Sequence, residues 1–203
     1  MADEYNSIII LPESPVWELP LVGQFHMWDV VDGTYNNDLQ LFDDLRTCAA
    51  TEFDVDPDKV ISAGFSGGAL FNTLLLSHRS TMLAAVVEMS GGADLTIPTF
   101  AELLSPYTTP EVDVPILLVS GGDSDIWPDS AVTLVDFEEA TDILQARLLS
   151  DDRFVLRCRH NAGHTITKKA FNTTIDWIVN HEYGVDSPYL TNIGSWNDWC
   201  EIP

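Results

Sequence analysis

Basic residues are scarce in this chain. Its 203 residues include 9 lysines and arginines against 32 aspartates and glutamates, a net charge of −23, and Lys59, Lys168 and Lys169 are its only lysines. A field of that sign repels phosphate backbones and anionic lipid, so neither nucleic acid nor membrane is expected as a partner. It also strains the compact state unless counter-ions screen it. Adaptation to saline surroundings is therefore one expectation, an acidic protein of ordinary surroundings the other. Under the first, raising salt toward molar levels holds or increases melting temperature and activity. Cysteine is nearly as rare. Cys48, Cys158 and Cys200 show neither a metal-binding spacing nor a disulfide framework. Cys48 falls on the apolar face of a helical pattern and reads as a core residue, while a Cys158–Cys200 bridge has no positive support from spacing. No apolar run approaches a membrane span. The acidic start Met1-Ala2-Asp3-Glu4-Tyr5 lacks the features of a signal peptide, which places the chain, as written, in the cytoplasm. No repeat or low-complexity segment occurs.

What is present suits a globular core: hydrophobic residues make up 45% of the chain and charged ones 20%, ordinary for one domain of this length. The reading is a single domain over 1–203, with 184–203 as a C-terminal tail. Apolar runs at Ile8–Leu11, Val60–Ala63, Ala84–Met89, Ile116–Val119 and Phe154–Cys158 read as strands, the last near a sheet edge by its charged neighbours. Helical periodicity follows Asn37 or Asp38, with Asp38 as N-cap and Leu39, Phe42, Leu45, Cys48 and Ala49 on one face. Further helices are expected after Gly68, over about Ser130–Leu149, and around Phe171–Val179. Strands alternating with helices indicate an α/β fold, a mostly parallel sheet with helices on both faces. The tail carries Trp196 and Trp199, which need a surface to lie on.

One stretch carries a chemical signature. Val60-Ile61-Ser62-Ala63 runs into Gly64-Phe65-Ser66-Gly67-Gly68 and then into an apolar helix, the setting of a nucleophile elbow. Gly64 and Gly68 are expected where the neighbouring chain leaves no room for a Cβ. By chance alone, a G-x-S-x-G pattern arises in roughly one chain of this length in fifteen. Partners make it specific. A serine hydroxyl needs a base to take its proton and a carboxylate to orient that base. Asp123 and Asp125 follow the strand Ile116–Val119, and His164 follows the strand Phe154–Cys158. All lie past the carboxyl ends of strands, where such sheets place their sites, and the order Ser, Asp, His is that of the hydrolases. His26, His78, His160 and His181 read as surface or structural. Trp28, Phe65 and Trp127 flank the expected pocket mouth and are as readily core aromatics as pocket walls.

From Asp3 to about Tyr183 the chain resembles the α/β-hydrolases, most closely the polyhydroxybutyrate depolymerase and feruloyl esterase group. The residues that carry the resemblance are Val55–Val60 leading to Gly64–Gly68, Val114–Leu117 leading to Gly122–Asp125, and Gly163-His164. It implies Ser66 as nucleophile, His164 as general base and Asp125 as the orienting acid, Asp125 being preferred to Asp123 by its distance from Gly122. It implies an oxyanion donor at Gly67 N–H and no metal or cofactor. Related proteins are often secreted.

The resemblance breaks at the N-terminus, where two or three strands and a second oxyanion donor are missing; that donor is worth on the order of 10²–10³ in rate. Either Ile8–Leu11 closes beside the elbow strand or a sheet edge stays open, which leads to the expectation of a homodimer or a natively trimmed sheet. A strictly monomeric solution mass counts against the dimer. The leading expectation is a serine esterase forming an acyl-enzyme on feruloyl, acetyl or short-chain acyl esters, small or polymer-linked. A peptidase of the same fold and a catalytically weak binding or scaffold protein are the alternatives.

Overall fold

The computed structural model describes residues 2–19, 23–31, 35–97, 102–128 and 133–203. In chain order the main elements are β1 (Val16–Leu19), β2 (Gly23–His26), α1 (Asn37–Glu52), β3 (Ile61–Phe65), α2 (Gly67–Arg79), β4 (Ala85–Met89) and β5 (Ile116–Ser120). They continue with β6 (Ile126–Trp127), β7 (Val135–Asp136), α3 (Phe137–Ser150), β8 (Val155–Arg159), α4 (Lys168–Val179) and β9 (Cys200–Glu201). The main sheet has the order β3-β4-β5-β8-β9. Its first four strands are parallel and β9 is antiparallel to β8. β1 with β2, and β6 with β7, form two small antiparallel hairpins.

Both faces of the sheet are covered, and the alternation of side chains shows it. Val86, Ile116, Leu118 and Val155 join a core with Leu70, Leu74, Leu144 and Leu148 of α2 and α3. Their neighbours Val87, Leu117, Val119 and Leu156 join a second core with Ala170 and Trp177 of α4. Trp196 of the tail is buried there too, so the tail does find a surface. Strands buried on both faces read as continuous apolar runs, which is why β4, β5 and β8 were legible.

Five expectations fail. Ile8–Leu11 forms no strand: the segment pairs with no strand among the described residues and is exposed, Leu11 at 87%, because a strand propensity is worth little without a ladder to join. It does not close beside β3, which has no partner on its outer side among the described residues. β8 is not the edge either, since β9 lies beyond it. Cys48 is exposed, and of the five residues on the α1 face only Leu39 is buried; periodicity identifies a face but not how much of it is covered. α1 is capped by Asn36, whose side chain accepts from Asp38 N–H and Leu39 N–H, rather than by Asp38. α3 begins at Phe137, because Asp136 caps it by accepting from Glu139 N–H; of the expected start, Ser130 lies outside the described residues and 133–136 are not helical.

The tail is pinned by a disulfide between Cys158 and Cys200, directly opposed residues of β8 and β9. Sequence spacing gave no sign of it. Closing a loop across 42 residues stabilises the fold by about 4 kcal/mol on the chain-entropy account.

Glu88, in the middle of β4, is fully buried. Burial pushes its carboxyl up to about 8, against hydrogen bonds from Thr73 and Gly92 that act to lower it. The Thr73 hydroxyl lies 3.0 Å from Glu88 Oε1 and 2.9 Å from the Gly92 carbonyl. It has one proton to give, so a protonated Glu88 that donates to the hydroxyl completes the chain. A carboxyl raised in the folded state favours folding at low pH. The unfolded chain ionises near 4.5 and the folded one near 8, so stability falls as pH rises between those values and then levels off. Glu88→Gln keeps a donor and an acceptor and removes the titration. Its melting temperature should fall less than that of the wild type between pH 5 and 8, as read by calorimetry; parallel curves would contradict the assignment.

Candidate active site

Ser66 sits between β3 and α2 with φ +55° and ψ −122°, a backbone region that costs a non-glycine residue about 1–3 kcal/mol. The turn is held by Ser66 N–H donating to Met89 carbonyl at 2.9 Å, and by Ser66 carbonyl accepting from Ala69 and Leu70 N–H at 2.9 and 3.0 Å. Gly64 permits the crossing, since a Cβ there would collide with the Gly68 backbone. The same crowding was expected at Gly68 and is not found: the nearest atom to a Cβ there is Trp28 Nε1 at 3.9 Å. The close approach belongs to the Gly68 carbonyl, not to its Cα hydrogens.

A serine at a helix N-cap normally turns its hydroxyl to the helix N–H groups. Ser66 makes no such bond. Its Oγ lies 3.0 Å from His164 Nε2, and His164 Nδ1 lies 2.8 Å from Asp125 Oδ1. The three residues come from loops after β3, β5 and β8, held in register by two backbone bonds. His160 N–H donates to Ser120 carbonyl at 3.0 Å, and Gly163 N–H to Gly121 carbonyl at 2.9 Å.

Asp125 is fully buried. Burial works to raise its carboxyl, and hydrogen bonds from His164, Gly121 N–H and Ser90 outweigh it, holding the group below its ordinary value. Gly121 N–H donates at 2.7 Å and the Ser90 hydroxyl at 2.8 Å, both to Oδ2. An ionised Asp125 places the imidazole proton on Nδ1 and leaves Nε2 to accept from Ser66. Asp123, the alternative acid, points elsewhere: its side chain is 96% exposed and pairs with Arg159.

The remaining predicted residues lie around this set. Phe65 stacks on His164 at 4.7 Å between ring centroids. Trp28 stacks on Phe71 at 5.3 Å, and Trp127 meets Phe25 at 5.1 Å, joining the two hairpins. Two clefts of about 690 and 670 Å³ are lined by other residues, among them Trp196 and Trp199 in one and Arg157 and Arg159 in the other. Gly67 N–H is in the first turn of α2, where helix donors lack intrahelical acceptors. Two other histidines make contacts away from this set: His181 Nδ1 meets Trp177 carbonyl at 2.8 Å and Nε2 meets Ser187 Oγ at 2.8 Å, and exposed His26 meets Ser14 carbonyl.

Sequence reasoning missed Ser90, Gly121, Phe137 and Glu138. Ser90 has φ +50°, and no pattern marks it. Glu138 accepts from Gly122 N–H at 3.0 Å and from Arg157 and Arg159. The Asp136-x-x-Glu139 capping signal before an apolar run could have placed this turn beside the acid loop.

No protein-family model matches the chain, and no curated protein matches it by sequence. Solved structures do. Native pOPH is similar at 21% identity and a TM-score of 0.65, over 84% of this chain and 61% of that one. SOBER1 from Arabidopsis thaliana is similar at 18% identity and a TM-score of 0.59, over 88% and 85%. A Bacillus cereus carboxylesterase is similar at 14% identity and a TM-score of 0.54, over 82% and 72%. The chain spans about three-fifths of the length of pOPH. With a parallel sheet, a strained serine after its first strand and these neighbours, the fold is that of the α/β-hydrolases.

Proposed function

We propose that this protein is a serine esterase working through Ser66, His164 and Asp125. The observation that carries the reading is the unbroken path from Ser66 Oγ through the imidazole to Asp125, at a serine whose hydroxyl is spared from helix capping. In the proposed reaction His164 Nε2 takes the Ser66 proton as Oγ bonds to the acyl carbon. The carbonyl electron pair moves onto oxygen, where Gly67 N–H stabilises it. Collapse expels the alcohol, which receives the proton from His164, and leaves an acyl-serine. Water, deprotonated by His164, releases the acid and returns the proton to Ser66.

The naming of one similar structure as a carboxylesterase supports an ester over a peptide substrate. Phe65, Trp28 and Trp127 are the proposed walls for the acyl group, within the feruloyl, acetyl and short-chain set that the polyhydroxybutyrate depolymerase and feruloyl esterase resemblance implies. Wild-type protein should hydrolyse a chromogenic short-chain ester and leave a peptide anilide intact. The reverse preference would make it a peptidase.

A second reading rests on one observation. Gly67 supplies the only oxyanion donor that the described residues let us assign, and a protein with one donor could hold an ester without turning it over quickly. As for location, no helix among the described residues is long and apolar enough to cross a membrane. The Cys158–Cys200 bridge favours an oxidising compartment over the cytoplasm that the N-terminal residues suggested.

A further inference from the structure

Phe137 belongs to no motif, yet it touches both partners of Ser66. It is the first residue of α3 and follows β7 directly. Its backbone N–H donates to the carbonyl of Asp125 at 2.8 Å. Its ring lies face to face with the His164 imidazole, centroids 4.4 Å apart and planes within 10°. The residue is 2% exposed, so the surroundings hold its ring in place.

Three neighbouring contacts fix the turn that carries it. Asp136 caps the helix through Glu139 N–H. Thr141 Oγ1 donates back to the Phe137 carbonyl at 2.6 Å. Glu138 takes Gly122 N–H on one oxygen and Arg157 and Arg159 on the other, tying the acid loop to the strand that leads to the base. One helical turn therefore spans the two loops whose separation sets the hydrogen bonds of the site.

The hydrogen bond to Asp125 fixes one atom of His164 and leaves a tilt about that axis, which Phe65, inclined 29° to the imidazole, limits less closely than the near-parallel Phe137. To reach Ser66 Oγ the ring must keep one plane. A flat, buried partner parallel to that plane restricts the tilt. When His164 takes the serine proton, the face of an aromatic ring also favours the cation. An aliphatic side chain of similar volume fills the space and supplies neither effect.

We propose that Phe137 is a positioning residue of the Ser66 site, its backbone anchoring the acid loop and its ring setting the plane of the base. Its catalytic consequence rests on the esterase reading above, so the test has one arm independent of turnover. Phe137→Leu, Phe137→Met and Phe137→Tyr are compared with wild type by calorimetry, by the low-field proton resonance of His164 Nδ1–H, and by the rate of reaction with a fluorophosphonate. In the folded Leu or Met variant the resonance should broaden or vanish and labelling should slow by about tenfold to a hundredfold. Phe137→Tyr should restore both to within about threefold of wild type. A folded Leu or Met variant with an unchanged resonance and labelling rate overturns the proposal, and so does a folded Tyr variant that restores neither. Should wild type fail to label while the resonance still follows the aromatic ring, the esterase reading falls and the positioning role stands.

Discussion

Replacing Ser66 with alanine should lower kcat for a short-chain chromogenic ester by about 10⁴- to 10⁶-fold, with the melting temperature almost unchanged. Under the proposed mechanism the loss follows from removing the atom that forms the acyl bond, which neither Gly67 N–H nor His164 replaces. The melting temperature is expected to hold because the hydroxyl caps nothing in α2. Its described partner is His164 Nε2. The positive φ of the elbow strains alanine and serine alike, so the substitution neither relieves nor adds strain. Paired kinetic and calorimetric measurements separate chemistry from folding. Activity above about 1% of wild type in a folded variant would mean that Ser66 is not the nucleophile.

Replacing Asp125 with asparagine should cost about 10⁴-fold in kcat, and Asp123→Asn less than about threefold. The Asp125 carboxylate accepts on both sides: from Gly121 N–H and Ser90 on Oδ2, and from His164 on Oδ1. An amide has one oxygen to offer. With that oxygen kept by Gly121 and Ser90, the amide N–H₂ faces His164 Nδ1 and drives the imidazole proton to Nε2. The base then presents a donor to Ser66, where an acceptor is needed. Stability should respond as well. The folded Asp125 is held below its ordinary value of 3.8, so its ionised form contributes stability above the unfolded value that is lost as pH falls through the folded one. The asparagine variant should lack that acid-side loss. Asp123 faces solvent and Arg159, so its replacement touches neither effect. Equal losses in the two variants would contradict the assignment of the acid.

The parts of this fold that were legible in the sequence are those that bury both faces. Ala85–Met89 and Ile116–Ser120 are apolar but for Glu88 and Ser120, because neither face of these strands meets water. The acid loop and Gly163-His164 could be placed because each follows a buried run, and the elbow because its Gly-x-Ser-x-Gly pattern follows the half-buried β3. Illegible were the features that depend on a partner distant in sequence. Ile8–Leu11 has the composition of a strand and, among the described residues, no strand to pair with. Cys48 carries the right period on a helix face that is left open, and the Cys158–Cys200 bridge needed β9, a two-residue strand. Phe137 and Ser90 act on the site through contacts across 27 and 35 residues respectively, and no local pattern reports such a contact.

The central claim is that Ser66 is an activated nucleophile, and covalent labelling tests it without assuming any substrate. Wild-type protein treated with a fluorophosphonate and analysed by intact and peptide mass should carry one adduct per chain, on the peptide containing Ser66. The folded Ser66→Ala protein should carry none. An unlabelled wild-type chain, or an adduct that persists in the alanine variant, would contradict it.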